Sequence, residues 1–427
     1  MKNFVFISPN FPETYYRFVV QLKNAGFRVL GIGDEAYDKL RPELKEAITE
    51  YYKVSNLDNF DEEKEAVGYF ERKYGHIDYL ESNNEYWLRK DSILRDLFSI
   101  DTGLHSHELD NYQRKSKMKQ HFQEAGVKVA PYLLVEDLES LKSFAEKYGF
   151  PLFVKPDIGV GAEESYKIKN IEELEAFYNR KPVNSRYICE TFVTGDIVTF
   201  DGLADENSEV VYCTSMECPP SISDILQSGD DMFYYVNPYL PKSFEKLGRA
   251  TIKAFNLKKR FFHIEFFRVT TARKGLFDVG DIVGLEINIR SPGGYSPDMQ
   301  NFANSIDCYW LYGQVMAGNK PQFEASPKYY LAAGARRDGV QYFYSDDDVR
   351  RTYKNNICNS GRYPKVFSGV MGDYFFMAKF NTKEEVEIFH QYVNRRVNYH
   401  SGGSNAGNKF NKVGEGDNIC DTHIDGA

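Results

Sequence analysis

Residues 284–294 read GLEINIRSPGG, and this stretch puts polar side chains at regular intervals in an apolar segment. Glu286, Asn288 and Arg290 alternate with leucine and isoleucine, which predicts a β-strand that ends in a tight turn. One face of that strand is apolar, and the other carries a carboxylate, a carboxamide and a guanidinium in a row. A solvated outer face of an antiparallel strand explains such a row, and so does a site for a metal ion and an anion.

The preceding stretch, FFHIEFFRV at 261–269, supplies a second polar face. His263 and Glu265 lie on one side of this predicted strand, and phenylalanine and isoleucine lie on the other. A carboxylate in so aromatic a strand is costly to bury unless it is paired or binds a metal. If the two strands form a hairpin, Glu265 lies beside Glu286, and with Asn288 these oxygens suit one or two Mg²⁺ ions.

A second candidate site is PLFVKPDIGVGAEES at 151–165. Lys155 ends an apolar strand, and Gly159 and Gly161 follow in a short loop. Glycine lets backbone N–H groups approach phosphate oxygens, and a lysine adds a positive charge. The Walker A pattern GxxxxGK[ST] is absent, so the loop is of another type, and an ordinary turn is the alternative interpretation.

Residues 110–126, DNYQRKSKMKQHFQEAG, predict one basic amphipathic helix. Lys115 and Lys119 are four residues apart and share a face of this helix. That face is either solvated, as basic helix faces commonly are, or part of an anion site.

The strand YICETFV at 187–193 carries Glu190 and runs into a turn at 194–196. The end of such a strand offers backbone groups that could contact the edge of a purine. By itself the pattern is weakly specific.

Residues 1–105 alternate strand and helix signals, beginning with the strand NFVFIS at 3–8. The alternation predicts a parallel sheet covered by helices. The fingerprint GxGxxG is absent after the first strand, so the prediction is a Rossmann-like fold without a dinucleotide site. Asn10 and residues 81–84 follow predicted strands, where open α/β sheets bind ligands.

The 427-residue chain has a formal net charge of -9, which argues against general binding to nucleic acid or anionic membranes. No apolar run approaches the ~20 residues of a membrane span. The six cysteines form no CxxC pair, and the sequence does not begin with a signal peptide. We therefore expect free thiols in a cytoplasmic protein.

Taken in chain order, these motifs resemble those of the ATP-grasp superfamily. Over about residues 1–320 the chain is most similar to carboxylate–amine ligases of the amino-acid ligase and phosphoribosylglycinamide synthetase type. The pattern NxRSPGG of this chain, residues 288–294, resembles the NPRxGG motif of those enzymes. The resemblance implies an α/β ATP-grasp fold divided into four regions. These are a Rossmann-like parallel-sheet domain at 1–108, an ATP-grasp domain at 109–320 with its lid at about 125–188, a smaller α+β region at 321–400 and a flexible tail at 401–427.

The resemblance also implies a role for each matching residue. The residues that would contact ATP are Lys115, Lys155, Gly159, Gly161, Ala162, Glu190, Thr191, Phe192, Val193 and Asp196. The ligands of Mg²⁺, or of Mn²⁺ in its place, would be Glu265, Glu286 and Asn288. Arg290 would be catalytic, and the substrate contacts would be Asn10, Gly293 and Gly294. Such proteins often have an acidic residue two positions after the glycine that follows the strand of Glu190, which here is Gly195. In this chain Ile197 takes that position, so Asp196 becomes the candidate for the ribose contact.

The reaction that the resemblance implies joins a small-molecule carboxylate to an amine through an acyl phosphate and releases ADP and phosphate. Alternatives within the superfamily are a biotin-carboxylase-like enzyme and a phosphotransferase, and outside catalysis a regulatory ATP-binding protein. Similar proteins are commonly dimers, so a homodimer is expected, with no nucleic-acid or membrane partner. The sequence does not name the acid or the amine.

Overall fold

The computed structural model describes residues 1–159, 164–182, 185–218 and 230–397. The predicted loop residues Gly161 and Ala162 and the predicted tail at 401–427 lie outside the described residues. The described residues form three β-sheets of four, nine and four strands, with helices packed against them. None of the described helices combines the length and the apolar character needed to cross a bilayer.

The first sheet is built from the N-terminal part of the chain. Its strands are β1 Asn3–Ile7, β2 Arg28–Gly33, β3 Glu50–Lys53 and β4 Tyr79–Glu81. Their order is β3-β2-β1-β4, and all pairs are parallel. The accompanying helices are α1 Tyr16–Asn24, α2 Pro42–Ala47, α3 Phe60–Tyr74 and α4 Leu88–Leu97. The predicted Rossmann-like alternation is confirmed, with β1 fully buried as the inner strand of a covered parallel sheet.

The predicted single helix at 110–126 is wrong in one respect, because it is interrupted at Arg114, whose backbone is extended. The N–H of Lys115 donates to the carbonyl of Asp157 at 2.8 Å, and that of Ser116 donates to the Asp157 carboxylate at 2.9 Å. This capping satisfies N-terminal amides, so a new helix starts at Lys115. The elements in this part of the chain are α5 Asp110–Gln113, α6 Lys115–Glu124 and β5 Lys128–Val129.

A small antiparallel sheet follows in the chain. Its strands are β6 Tyr132–Leu134, β7 Leu152–Pro156, β8 Tyr166–Ile168 and β9 Tyr187–Thr191. They lie in the order β6-β9-β7-β8. Helices α7 Leu138–Tyr148 and α8 Ile171–Arg180 bury their apolar faces against this sheet in one core. We refer to this unit, residues 132–191, as the small sheet.

The central sheet has nine strands and is antiparallel except at β5, which pairs in parallel with β14. The other strands are β10 Gly195–Ala204, β11 Val210–Glu217, β12 Phe233–Asn237, β13 Arg260–Val269, β14 Ile282–Asn288, β15 Tyr330–Arg336, β16 Ile357–Arg362 and β17 Tyr374–Phe380. The order is β16-β17-β15-β12-β11-β10-β13-β14-β5. The helices of this part are α9 Lys242–Ala254, α10 Ser296–Asn304, α11 Cys308–Met316, α12 Asp346–Thr352, α13 Ser368–Met371 and α14 Lys383–Val393. The strands after residue 320 thus extend the sheet that carries β13 and β14.

Helix α6 lies against the central sheet where β14 has a glycine. A Cβ atom at Gly284 would be 2.7 Å from the ring of Phe122, which is fully buried. This close approach requires glycine at that position. It fixes the distance between α6 and β14, and thereby the height of Lys115 and Lys119 above the strand.

Candidate active site

Strands β13 and β14 form the expected hairpin, and Glu265 is the cross-strand partner of Glu286. His263 is likewise opposite Asn288, so the polar faces of the two strands coincide. Both carboxylates are partly buried, with 23% of each side chain exposed. This partial burial favours a semi-enclosed site over a solvated outer face of the strand.

The donor set of the hairpin is compatible with Mg²⁺. Within the described residues, no three His, Cys, Asp or Glu side chains gather into a ready metal cage. Mg²⁺ does not need one, since it binds through one or two carboxylates and completes its octahedron with water and phosphate oxygens. Each carboxylate currently faces a cation: Glu286 Oε2 lies 3.6 Å from Lys115 Nζ, and Glu265 Oε1 lies 3.3 Å from His263 Nε2. The metal roles of these residues stay predictions.

The charges around Glu286 keep it ionised. Burial raises the pKa of its carboxyl, but Lys115 and Lys155 oppose this effect, and the pKa lies below its ordinary value. A permanently ionised carboxylate is what a divalent metal ion requires of its ligand.

Asp201 joins this cluster, although the sequence did not single it out. Its Oδ1 lies 2.6 Å from His263 Nδ1, and its other oxygen accepts a hydrogen bond from the Thr199 hydroxyl. Burial lowers the pKa of His263, but Asp201 and Glu265 more than reverse this and raise it to about 10. A charged imidazolium thus lies between the two carboxylates and fixes the position of Glu265.

Lys115 connects the glycine loop to the hairpin. Its Nζ donates to the carbonyl oxygen of Gly159 at 2.6 Å and lies 3.6 Å from Glu286 Oε2. A cavity of about 470 Å³ opens beside it, between α6 and the small sheet. Four cations line this cavity: Arg114, Lys115, Lys155 and Arg186. So many cations around a concave surface suit a polyphosphate.

Lys155 and Glu190 meet directly, and Lys119 joins them. Lys155 Nζ lies 3.1 Å from Glu190 Oε1, and Lys119 Nζ lies 3.2 Å from Glu190 Oε2. Burial raises the pKa of Glu190, but the two lysines outweigh it and hold the pKa below its ordinary value. The structure therefore excludes the solvated-face interpretation for Lys119, which is fully buried.

Backbone groups of the connection from β9 to β10 form hydrogen bonds within the protein. The N–H of Thr191 donates to the carbonyl of Pro131 at 3.0 Å, and that of Phe192 to the carbonyl of Pro151 at 3.2 Å. Arg273, from the loop between β13 and β14, donates to the carbonyl of Phe192 at 3.2 Å. It also donates to three carbonyls of the small sheet, those of Pro151, Tyr148 and Gly149. These bonds engage the N–H groups of Thr191 and Phe192 and the carbonyl of Phe192, and the predicted adenine role of this segment stays a prediction.

Asp196, the candidate for the ribose contact, is largely exposed at the start of β10. Its Oδ2 lies 3.5 Å from Arg268, which also reaches Glu217 at 3.3 Å. Ile197 pairs with Phe267 in the neighbouring strand. Asp196, the acidic residue next to Ile197, is therefore paired with Arg268.

At the other end of β14 lies a buried polar strip, residues 81–85, which follows β4. All five of its residues, ESNNE, are buried. Glu85 accepts a hydrogen bond from the N–H of Ile289 at 3.3 Å, directly before Arg290. Burial raises the pKa of Glu85 to about 7, although Arg290 and Arg260 oppose the rise. The sequence pointed to residues 81–84 and missed Glu85.

The remaining predicted substrate residues are dispersed. Gly293 and Gly294 lie in the turn between Arg290 and α10, where Gly294 has a positive φ of 63°. Asn10 lies elsewhere along the edge of the first sheet, with its amide oxygen beside Gly33. The structure thus brings the two lysines, the two carboxylates and Arg290 to one strand pair and its neighbours, and no described contact joins Asn10 to them.

Comparisons with known proteins show what the chain is similar to. The family model "Carbamoyl-phosphate synthase L chain, ATP binding domain" matches residues 114–255, which include Lys115, Lys155 and Glu190. The L-arginine-specific L-amino acid ligase of Bacillus subtilis is 24% identical over 234 residues, which cover 52% of this chain and 53% of that relative. The chain thus matches about half the length of that relative.

Two solved structures cover nearly the whole chain. The L-amino acid ligase from Bacillus licheniformis has a TM-score of 0.65 at 16% identity, over 92% of this chain and 97% of its own. The biotin carboxylase domain of the 2-oxoglutarate carboxylase from Hydrogenobacter thermophilus, a dimer in complex with MgADP, ADP and bicarbonate, has a TM-score of 0.62 at 16% identity, over 92% and 89%.

These findings and the three sheets define the chain as having the ATP-grasp fold, and the resemblance predicted from the sequence is confirmed. Its similar proteins are named as ligases and a carboxylase, the enzyme classes that the sequence predicted. L-amino acid ligases occur among the similar proteins in both the sequence comparison and the structural comparison.

Proposed function

We propose that the chain is an ATP-dependent carboxylate–amine ligase that forms an amide bond through an acyl phosphate. The observation that carries the proposal is the meeting of Lys115 with Gly159 and Glu286, at 2.6 and 3.6 Å. One ammonium group there touches both the loop that suits phosphates and the carboxylate that suits Mg²⁺. The match to an ATP-binding domain over residues 114–255 supports the same assignment.

The proposed reaction needs charge neutralisation more than it needs a covalent nucleophile. An oxygen of the carboxylate substrate attacks the γ-phosphorus of ATP, and ADP leaves. The nitrogen of the amine then attacks the acyl carbon, phosphate leaves, and the nitrogen loses a proton. Lys115, Lys155 and Arg290 would neutralise the negative charge that both steps concentrate. Mg²⁺, held by Glu265, Glu286 and Asn288, would supply further neutralisation when bound.

The carboxylate and amine substrates would lie at the Arg290 end of β14. The guanidinium of Arg290 is buried, which suits a group that holds an acyl phosphate or a carboxylate in a region of low water content. The buried polar strip beside it supplies carboxamides and the carboxyl of Glu85, which can receive an amine. Gly293 and Gly294 would contact the substrate through their backbone. A homodimer and a cytoplasmic location stay predictions from the sequence.

The experiment is to measure the release of ADP and phosphate from Mg-ATP against a matrix of amino acids and small carboxylic acids. A ligase requires two substrates together, one with a carboxylate and one with an amine. Release with bicarbonate and biotin, or with a carboxylate alone, would replace the ligase by a carboxylase or a phosphotransferase. ATP binding without release under any condition would favour the regulatory alternative.

The variant Glu286→Gln tests the metal role in the same assay. It removes one ionised Mg²⁺ ligand, so we expect turnover to fall by at least a hundredfold while the melting temperature stays within a few degrees. The matched control is Glu387→Gln, an exposed position on α14, which should leave turnover unchanged. Near-normal activity of Glu286→Gln would show that the metal assignment is wrong.

A further inference from the structure

Helix α6 sends two buried lysines to two different carboxylates. Lys115 reaches Glu286 at 3.6 Å, and Lys119, one turn later, reaches Glu190 at 3.2 Å. Their side chains are 6% and 1% exposed. Burying a lysine without a partner costs several kcal/mol, on the order of the penalty for any buried ion, so a position like that of Lys119 calls for a purpose.

Glu190 is shared by two cations. Lys119 faces one of its oxygens, and Lys155 faces the other at 3.1 Å. One carboxylate and two ammonium groups leave a surplus positive charge in a place with almost no exposure to water. Burial lowers the pKa of Lys119, Glu190 only partly restores it, and the neighbouring Lys155 lowers it further.

The two lysines differ in what else they face. Lys155 is part of the wall of the cavity that suits polyphosphate, together with Arg114, Lys115 and Arg186. Lys119 is not part of that wall, and its other near neighbour is the ring of Tyr132, whose centroid is 5.7 Å away. Lys155 therefore has an alternative partner whenever phosphate is present, whereas Lys119 has Glu190 in either case.

We propose that Lys119 is a positioning residue that serves as the permanent counter-ion of Glu190 and thereby frees Lys155 to bind the phosphates of the nucleotide. This inference rests on the nucleotide site of the proposed function. Without Lys119, a Lys155 that turned toward phosphate would leave Glu190 as an unpaired buried anion. The carboxylate would then hold Lys155 back, and the affinity for phosphate-bearing ligands would fall.

The test is the affinity of Lys119→Met for ADP and for adenosine. Methionine keeps the length and the packing of the side chain but removes its charge. Titration calorimetry gives the Kd for ADP, and competition with ADP gives the Kd for adenosine. We expect the Kd for ADP to rise by roughly tenfold or more, because Lys155 stays on Glu190, and the Kd for adenosine to change less than about threefold.

A second variant keeps the inference falsifiable if Lys119→Met folds poorly. In Glu190→Gln the neutral amide no longer retains Lys155, so adding Lys119→Met to this variant should raise the Kd for ADP by less than about threefold. The control on the same helix is Lys117→Met, an exposed position, which should bind ADP like the wild type. A merely structural role of Lys119 would lower ADP affinity equally with Glu190 and with glutamine at position 190.

Three outcomes would overturn the inference. If Lys119→Met binds ADP as well as the wild type, Lys119 does not control Lys155. If adenosine weakens as much as ADP, Lys119 acts on the base and not through Lys155. If the wild type itself binds neither ADP nor ATP, the nucleotide site fails, and the proposed function fails with it.

Discussion

Glu85 should make the protein less stable at neutral and alkaline pH than it would be with glutamine at this position. Its side chain is buried, and its pKa is raised from 4.5 to about 7 by burial, against the opposition of Arg290 and Arg260. A tenfold change in proton affinity is worth about 1.4 kcal/mol, so ionising this carboxyl in the folded protein costs about 3 kcal/mol. Glu85→Gln keeps the shape of the side chain and removes that cost.

The sign of the effect follows from proton binding. Between pH 4.5 and about 7 the folded protein holds the proton of Glu85 while the unfolded chain loses it, so this group lowers the free energy of unfolding as the pH rises. Below pH 4.5 both states are protonated, and above about 7 the loss is complete. Glu85→Gln should therefore match the wild type at pH 4 and exceed its unfolding free energy by about 3 kcal/mol at pH 8, measured by urea unfolding.

The matched control is Glu63→Gln. Glu63, on α3, is fully buried with its pKa raised to about 7 by burial, and Lys90 opposes the rise from 3.3 Å away. It lies outside the candidate site, so Glu63→Gln should stabilise the protein in the same pH range and leave turnover unchanged. Glu85→Gln should gain stability and lose turnover. If Glu85→Gln gains as much at pH 4 as at pH 8, or gains nothing at pH 8, the electrostatic reasoning is refuted.

Two further substitutions test how the helix and the small sheet are held. Gly284→Ala should destabilise the protein by about 1–3 kcal/mol in urea unfolding and weaken ATP binding, because the new methyl group would press on Phe122 and lift α6. The control Gly68→Ala lies in a helix next to the end of a flexible arginine and should be neutral or stabilising in the same assay. If Gly284→Ala is as stable as the wild type, the packing argument is contradicted. Arg273→Met should raise amide hydrogen exchange in the connection from β9 to β10 roughly thirtyfold, since about 2 kcal/mol of charge-assisted bonds to four carbonyls is lost. The exposed Lys274→Met should leave this exchange unchanged, and amides of the connection that stay protected in Arg273→Met would show that these bonds do not hold it.

Local patterns in the sequence were sufficient for the strands that carry the site. Alternation fixed the faces of β13 and β14, and their closeness in the chain made a hairpin the simplest connection, which placed Glu265 beside Glu286. The parallel sheet near the N-terminus was likewise predictable from short-range signals. The hairpin depends on residues fewer than about thirty positions apart, and the strand and helix signals of the N-terminal part are read within each element.

The errors and omissions arise where distant residues decide. The helix at 110–126 breaks at Arg114 because Asp157, far along the chain, caps a new helix at Lys115. The sequence left open whether Lys119 is solvated, because its partner Glu190 belongs to a strand of another sheet. Asp201 carried no local signal, since its importance comes from His263 in the neighbouring strand. A pattern within one element cannot show such pairings.

The same pairings suggest why metal and nucleotide would enter this site together. Lys115 is held by Glu286, the candidate Mg²⁺ ligand, and Lys155 is held by Glu190. Free polyphosphate would have to draw both lysines from their carboxylates and would leave Glu286 without a partner. With Glu286 holding an ion, Lys115 would be available to the phosphates, and Lys119 would keep Glu190 neutralised when Lys155 turns to them. In the proposed function each carboxylate thus keeps a cation throughout, and the charges balance only when magnesium and nucleotide are both bound.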